Sequence, residues 1–198
     1  MDEYLNQVLQ YARANNIPVI LDETRDFLTN LCREIKPKKI LEIGMAIGYS
    51  GSWLLKSSEG AELTCLEAST PNIKLARQNF LAQGLENRVN IIEGDCLKTL
   101  PTLIGNKYDL IFLDGPKGKY IDMVDMILPL LAPNGVWVSD NVLFRGMVLD
   151  GADIPSERFK VTVGLLHKFI DRLQNDKKLD TQLLHIGDGL SVVKFRGK

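Results

Sequence analysis

From residue 38 onward, short apolar runs alternate with helical patterns, and repeated β–α units of this kind imply a parallel sheet wound by right-handed crossovers. Lys38–Ile43 is short, β-branched and followed by glycine, so it reads as a buried strand. Tyr49–Ser57 reads as a helix and Glu62–Glu67 as a second strand. Pro71–Gln83 is a helix with Pro at its start and Gly84 at its end, after the capping candidates Ser69 and Thr70. Val89–Glu93 and Tyr108–Asp114 follow as strands. Lys119–Leu131 reads as a helix closed by Pro133-Asn134-Gly135, and Gly135–Asp140 as the fifth strand. Ser156–Asn175 has helical periodicity through Phe159, Val163, Leu166, Phe169, Ile170 and Leu173. The end of the chain breaks the alternation. Thr181–Ile186 and Leu190–Phe195 are strands joined by Gly187-Asp188-Gly189, a hairpin signal that adds an antiparallel strand. Two amphipathic helices, about Glu3–Asn15 and Asp22–Ile35, precede the first strand.

This pattern predicts one α/β domain over residues 1–198, with N-terminal helices in 1–36 and a core in 37–198. The core is a seven-stranded, mostly parallel sheet with a C-terminal antiparallel hairpin and helices on both faces. Hydrophobic residues are 45% of the chain, enough for a sizeable core, and disordered and low-complexity classes are excluded. The net charge of −1 excludes a uniformly basic nucleic-acid coat but not a local patch. No apolar run approaches the ~20 residues of a membrane span. Met1-Asp2-Glu3-Tyr4 lacks the basic start of a signal peptide, so a cytoplasmic location without membrane contact is expected. Cys32, Cys65 and Cys96 form no CxxC and read as reduced, buried thiols. With only His167 and His185, a His-rich metal site or a Ser-His-Asp hydrolase is hard to build.

Ligands of such sheets sit beyond the carboxyl ends of the strands, at the switch point in strand order. The strand ends here carry Glu42-Ile43-Gly44, Glu67, Asp95, Asp114 and Asp140-Asn141, a dense set of carboxylates for one rim. Helix caps and solvated loop ends are the bland reading of the same residues. Gly44 and Gly48 allow close backbone approach, but their G-x-x-x-G spacing is not the G-x-G-x-x-G of dinucleotide folds. Glu67 stands where an acid grips ribose hydroxyls, in NAD and S-adenosylmethionine enzymes alike. Asp95 can accept from an adenine amine, cap the following segment, or do both. That extra acid, with the terminal hairpin, favours S-adenosylmethionine, and the chain lacks the Tyr-x-x-x-Lys pair of an NAD-dependent reductase. Neighbouring strand ends lie about 5 Å apart. Asp114, Asp140 and the Asn141 amide oxygen can therefore converge on one ion, and all-oxygen ligands suit Mg²⁺ or another divalent cation such as Ca²⁺ or Mn²⁺.

The segments ILEIGMAIGYS (40–50), LEAS (66–69), EGDCL (93–97), FLDGPKGKY (112–120) and SDNVLFRG (139–146) occur in this order. Together they resemble the metal-dependent class I O-methyltransferases of the catechol and caffeoyl-CoA type, which have a Rossmann-like fold. Within that group DNVLFRG and the terminal GDGLSV (187–192) are most similar to the bacterial tRNA 5-hydroxyuridine methyltransferase branch. The resemblance covers about residues 17–196. It implies that Ser50 holds the methionine carboxylate, Glu67 the ribose hydroxyls, and Asp95 and Cys96 the two sides of the adenine. It further implies cofactor contacts at Ile20 and Asp114, backbone approach at Gly44, and a Glu42 that orients the amino group. The implied metal ligands are Asp114, Asp140 and Asn141. Lys117, with Asp114, is implied to act in catalysis beside the reacting hydroxyl, whereas Lys119 is expected to face solvent.

A metal that binds two adjacent oxygens suits a catechol and suits 5-hydroxyuridine equally, whose 5-hydroxyl lies beside the O4 carbonyl. The expected activity is conversion of 5-hydroxyuridine to 5-methoxyuridine in the tRNA anticodon. The alternative is a small-molecule catechol or caffeoyl-CoA-type O-methyltransferase. Residues 156–198 carry a net +4, and Lys117, Lys119 and Arg145 lie near the proposed site, a local patch of the sort that phosphate contact needs, or an ordinary solvated surface. Phe144 and Met147 read either as a platform for a base or phenol ring or as loop anchors. The first two helices read as a cover for the cofactor or as a homodimer surface.

Overall fold

The structure is a computed structural model that describes residues 2–197. Helices α1 (Glu3–Ala14) and α2 (Asp22–Ile35) come first, joined by an irregular strap over 16–21. The core runs β1 (Lys39–Ile43), α3 (Tyr49–Lys56), β2 (Glu62–Glu67), α4 (Thr70–Ala82), β3 (Val89–Glu93), α5 (Cys96–Thr99) and β4 (Tyr108–Leu113). It continues through α6 (Tyr120–Ile127), β5 (Leu131–Ser139), α7 (Glu157–Gln174), β6 (Leu179–Leu184) and β7 (Leu190–Phe195). Side-chain caps fix several helix starts. Asp2 accepts from the Leu5 amide at 3.1 Å, Ser69 from that of Asn72 at 3.4 Å and Ser156 from that of Phe159 at 3.3 Å.

The seven strands form one sheet in the order β3-β2-β1-β4-β5-β7-β6. Strands β1 to β5 pair in parallel, and β7 is antiparallel to both β5 and β6. The chain moves outward from β1 to β3, then returns to the other side of β1 with β4. That reversal opens a crevice above the β1–β4 boundary.

Alternate strand residues point to opposite faces, and helices cover both, so the central strands are apolar without alternation. Ile40, Phe112 and Val138 pack with Leu5, Leu28 and Phe80 on the face of α1 to α4. Leu41, Ile111 and Trp137 pack with Tyr120 and Phe169 on the other. There the Phe169 ring meets Tyr120 edge-on at 5.3 Å and Trp137 at 5.9 Å.

Three expectations change in detail. Strand β5 begins at Leu131, not Gly135, and Pro133-Asn134-Gly135 lies inside it as an irregularity, with a register shift against Tyr108 and Leu110. A Cβ on Gly135 would lie 2.8 Å from the Tyr108 carbonyl oxygen, so the turn-like tripeptide permits a close strand approach rather than ending a helix. The expected helix over 119–131 is confined to α6, followed by a 3₁₀ turn at Leu128–Leu130, where Pro129 supplies no amide for the helical ladder. Finally, β6 starts at Leu179 and ends at Leu184, two residues early at each end, and the early end leaves a longer turn before β7. Among the described residues no helix is long and apolar enough to cross a membrane.

Candidate active site

The strand ends stay in lateral register one residue beyond the sheet. Gly44 donates its amide to the Leu66 carbonyl (2.9 Å), Asp114 to Ile43 (2.8 Å) and Asp140 to Leu113 (2.9 Å). The carboxylates after β4 and β5 are thus presented by backbone bonds, not by flexible loops. The β1–α3 and β4–α6 connections cross in close contact. A Cβ on Gly44, whose φ is +93°, would lie 2.3 Å from the Asp114 carbonyl oxygen, so only glycine fits.

A cavity of about 320 Å³ opens here, lined by Gly44, Glu67, Asp95, Cys96, Asp114 and Lys117 among others. Glu67 closes its base. One carboxylate oxygen accepts from the Ala46 amide and the other from the Ser69 amide, each at 2.8 Å, so one side chain holds the loops after β1 and β2 together. Ala46 is held at φ +47°, a left-handed conformation that this bond helps to stabilise. Asp95 caps α5 by accepting from the Leu97 amide at 2.9 Å, while its other oxygen meets Lys119 Nζ at 2.6 Å. Lys119 first and the Leu97 amide second hold the Asp95 carboxyl below its ordinary range.

Lys119 therefore does not simply face solvent, as the sequence suggested. It rides with Lys117 on one 3₁₀ turn, Lys117–Lys119, which sends both ammonium groups toward carboxylates of the cavity. Lys117 Nζ lies 2.8 Å from Asp114 Oδ1.

Glu42 and Ser50 lie beneath this cavity and do not line it. Glu42 is fully buried and accepts from the Ser50 hydroxyl and, at 3.5 Å, from the Cys65 thiol. Burial pushes its carboxyl up to about 8, against the pull of those two donors. A neutral Glu42 is thus a support under α3.

A second cavity, of about 400 Å³, is bordered by Ile20, Asp140, Asn141, Arg145 and Asp188. It shares Pro18, Asp114 and Lys117 with the first. Ile20, expected at the cofactor, lies in this second cavity, at the buried end of the α1–α2 strap. Asp140 is 2% exposed, and burial first and the nearby Asp114 second push its carboxyl up to about 7. Burial also raises Asp114, with Lys117 offsetting part of the effect. Two neighbouring carboxylates out of water are relieved by a proton or by a cation. Asn141 stands at φ +57° and donates from Nδ2 to Asp188 at 3.3 Å. Among the described residues no three His, Cys, Asp or Glu side chains form a cation cluster. The set here is two carboxylates and an amide, an all-oxygen donor set that fits a hard divalent ion.

Phe144 and Met147 serve as loop anchors. Met147 is 8% exposed in the core of the α6–α7 face, and the Phe144 ring meets Phe159 edge-on at 5.6 Å. Two elements of the site escaped the sequence reading, the Asp188 contact and the shared wall at Pro18. Asp188 had a signal in the GDG turn, but which loop that turn touches is a tertiary fact. Pro18 had none.

A Rossmann-like sheet with an acid gripping the loop after β1 and a second acid after β3 is a nucleotide-binding arrangement of the kind that NAD- and S-adenosylmethionine-dependent enzymes use. More narrowly, the chain belongs to the O-methyltransferase family, whose model matches residues 1–196. It is 30% identical to the O-methyltransferase ankF of Aspergillus thermomutatus, over 85% of this chain and 75% of that one. It is 34% identical to the catechol O-methyltransferase of Mycobacterium tuberculosis, over 64% of this chain and 58% of that one. Among solved structures it is similar to SAH-bound methyltransferase PaMTH1 of Podospora anserina, with a TM-score of 0.90 and 30% identity, covering 100% of this chain and 89% of that one. The protein is an S-adenosylmethionine-dependent O-methyltransferase.

Proposed function

We propose that this enzyme methylates a hydroxyl that has a second oxygen beside it, with a divalent cation held by Asp114, Asp140 and Asn141. The observation that carries the reading is the pair of cavities sharing Asp114 and Lys117, one shaped by ribose- and adenine-type acids, the other by buried oxygen ligands. In the first, Glu67 takes the ribose hydroxyls, Asp95 and Cys96 border the adenine, and Gly44 lets the backbone come close. Ser50, Glu42 and Ile20 act on the cofactor from behind, by holding α3 and the strap in place. A bound cation lowers the pKa of the acceptor hydroxyl, as it does for water. Lys117 places a positive charge beside the oxygen that becomes anionic, and Asp114 orients that lysine. The strand-end backbone bonds hold Gly44, Asp114 and Asp140 in fixed relation, and an acceptor and methyl donor aligned over them would gain much of the rate from positioning.

The acceptor we favour is 5-hydroxyuridine in the tRNA anticodon, giving 5-methoxyuridine. Its support is the DNVLFRG and GDGLSV segments, both of which border the second cavity through Asn141, Arg145 and Asp188. A small catechol is the second reading, favoured by the likeness to the mycobacterial catechol O-methyltransferase. Incubation with labelled S-adenosylmethionine, Mg²⁺ and either hydroxyuridine-containing tRNA or a catechol panel separates them. Label in tRNA that digests to 5-methoxyuridine is expected. Rapid turnover of catechols with none on tRNA selects the second reading, and full activity in excess EDTA removes the cation from both.

A further inference from the structure

The turn between β6 and β7 is wedged into the rim from a distance in sequence. Val142 donates its amide to the Gly189 carbonyl at 3.0 Å and Leu143 to that of Asp188 at 3.1 Å. The fit is tight on both sides. A Cβ on Gly189 would lie 2.3 Å from Leu143 Cγ, and one on Gly187 would lie 2.7 Å from Thr24 Oγ1 at the start of α2. At the tip, the Asp188 carboxylate uses both oxygens. One accepts from the Arg145 backbone amide, and the other from Asn141 Nδ2 at 3.3 Å. Asn141, Phe144 and Arg145 all have left-handed backbone, with φ of +57°, +46° and +57°. Non-glycine residues hold that conformation when their surroundings impose it. Asp188 is the side chain that ties two of these three.

We infer that Asp188 is a positioning residue that sets which end of the Asn141 amide faces the second cavity. An amide has one end that ligates a cation, the oxygen, and one that repels it, the NH₂. A carboxylate accepts only, so Asp188 can bind Asn141 solely through Nδ2. That leaves Oδ1, which has no other hydrogen-bond partner among the described residues, for the cavity shared with Asp114 and Asp140. Partners that orient a ligand in this way commonly contribute 10–100-fold to affinity. The inference rests on the cation reading above.

The test is Mn²⁺ binding to the substrate-free protein, followed by electron paramagnetic resonance, with thermal melting and S-adenosylmethionine affinity measured alongside. Asp188→Asn keeps shape and still accepts from Arg145, but presents an NH₂ to Asn141. The Asn141 amide then turns its oxygen toward residue 188 and its NH₂ toward the cavity. Mn²⁺ affinity is expected to fall at least about tenfold, with melting temperature and cofactor affinity unchanged. The exchanged pair, Asn141→Asp with Asp188→Asn, returns an oxygen to the cavity and an NH₂ donor to residue 188, so Mn²⁺ affinity recovers. In the wild type, exchange of the Asn141 side-chain amide protons is expected to be slowed, and Asp188→Ala is expected to abolish that slowing. Wild-type Mn²⁺ binding that Asp188→Asn leaves intact, or that the exchanged pair fails to restore, overturns the inference alone. A wild type that binds no Mn²⁺ overturns the cation reading and the inference with it.

Discussion

The two halves of the rim are held by opposite means. On the β1–β2 side every site carboxylate already has donors. Glu67 accepts from two backbone amides, Asp95 caps a helix and pairs with Lys119, and the buried Glu42 takes the Ser50 hydroxyl. Lys119 apart, the donors of this half come from consecutive β–α units, and they are in place before any ligand arrives. On the β4–β5 side Lys117 donates to Asp114 and the Asn141 amide to Asp140, yet burial raises both carboxyls and Asp114 raises Asp140 further, while the loop after Asp140 is held in left-handed backbone by a turn 47 residues away. A rim satisfied by its own backbone makes a preformed pocket. A rim left in electrostatic tension binds its ligand in part by relieving that tension.

The largest effect that tests this contrast is at Asp140. Asp140→Ala is expected to lower turnover by more than about 100-fold while S-adenosylmethionine affinity stays within about threefold, because Asp140 borders the second cavity and not the first. Calorimetric titration of the cofactor beside initial rates reads both quantities. Near-normal turnover would remove Asp140 from the ligand set, and a parallel loss of cofactor affinity would erase the distinction between the halves.

The pH dependence of folding separates the halves in the opposite direction. The folded pKa of Glu42 is about 8, against an ordinary 4.5, so the native protein keeps a proton that the unfolded chain has released. Unfolding free energy then falls as pH rises from about 4.5 to about 8, by an amount on the order of a few kcal/mol. Asp140 adds a slope of the same sign between about 3.8 and 7. Glu42→Gln is expected to flatten the profile between pH 7 and 8 and to leave the Asp140 part. Denaturant melts at pH 5, 7 and 8 check it, and an unchanged slope above pH 7 means that Glu42 is already ionised in the fold.

Glu67 gives a smaller loss confined to the prebuilt half. In Glu67→Ala the part-buried Ala46 and Ser69 amides lose their acceptor, a cost of about 0.5–1.5 kcal/mol for each hydrogen bond. Urea melts should show this, and the KM for S-adenosylmethionine should rise with kcat at saturation little changed. A lower kcat at unchanged KM would place Glu67 in the acceptor half instead.

The same division decides what could be read from the sequence. The β–α alternation, the strand ends and the acids that end β2 and follow β3 are local signals, because each acid sits where its own strand stops. Asp95 illustrates how far this goes, since both its cap bond and its place in the cavity follow from the strand ending at Glu93. The second cavity is different. Asp114 and Asp140-Asn141 were legible as strand ends, but the ties of Asp188 and Pro18 depend on where the terminal hairpin and the strap come to rest. Periodicity also misplaced Pro133-Asn134-Gly135, because a bulged strand and a turn use the same residues. Lys119 was misjudged because the direction of a lysine on a single 3₁₀ turn is set by a partner 24 residues away.

That lysine gives the smallest and most discriminating effect. Lys119 and Asp95 are both partly open to solvent, and an exposed ion pair contributes little. The pair nonetheless engages the Asp95 oxygen that an adenine amine would use, so cofactor and lysine compete for one acceptor. Salt screens the ion pair more than it screens the enclosed cofactor contacts. Wild-type affinity for S-adenosylmethionine should therefore rise with ionic strength, by less than about fivefold, and Lys119→Met should remove that rise while leaving kcat unchanged. If Lys119→Met instead weakens cofactor binding by more than about tenfold, Lys119 contacts the cofactor directly. The cofactor half would then share with the acceptor half a dependence on groups outside its own β–α units.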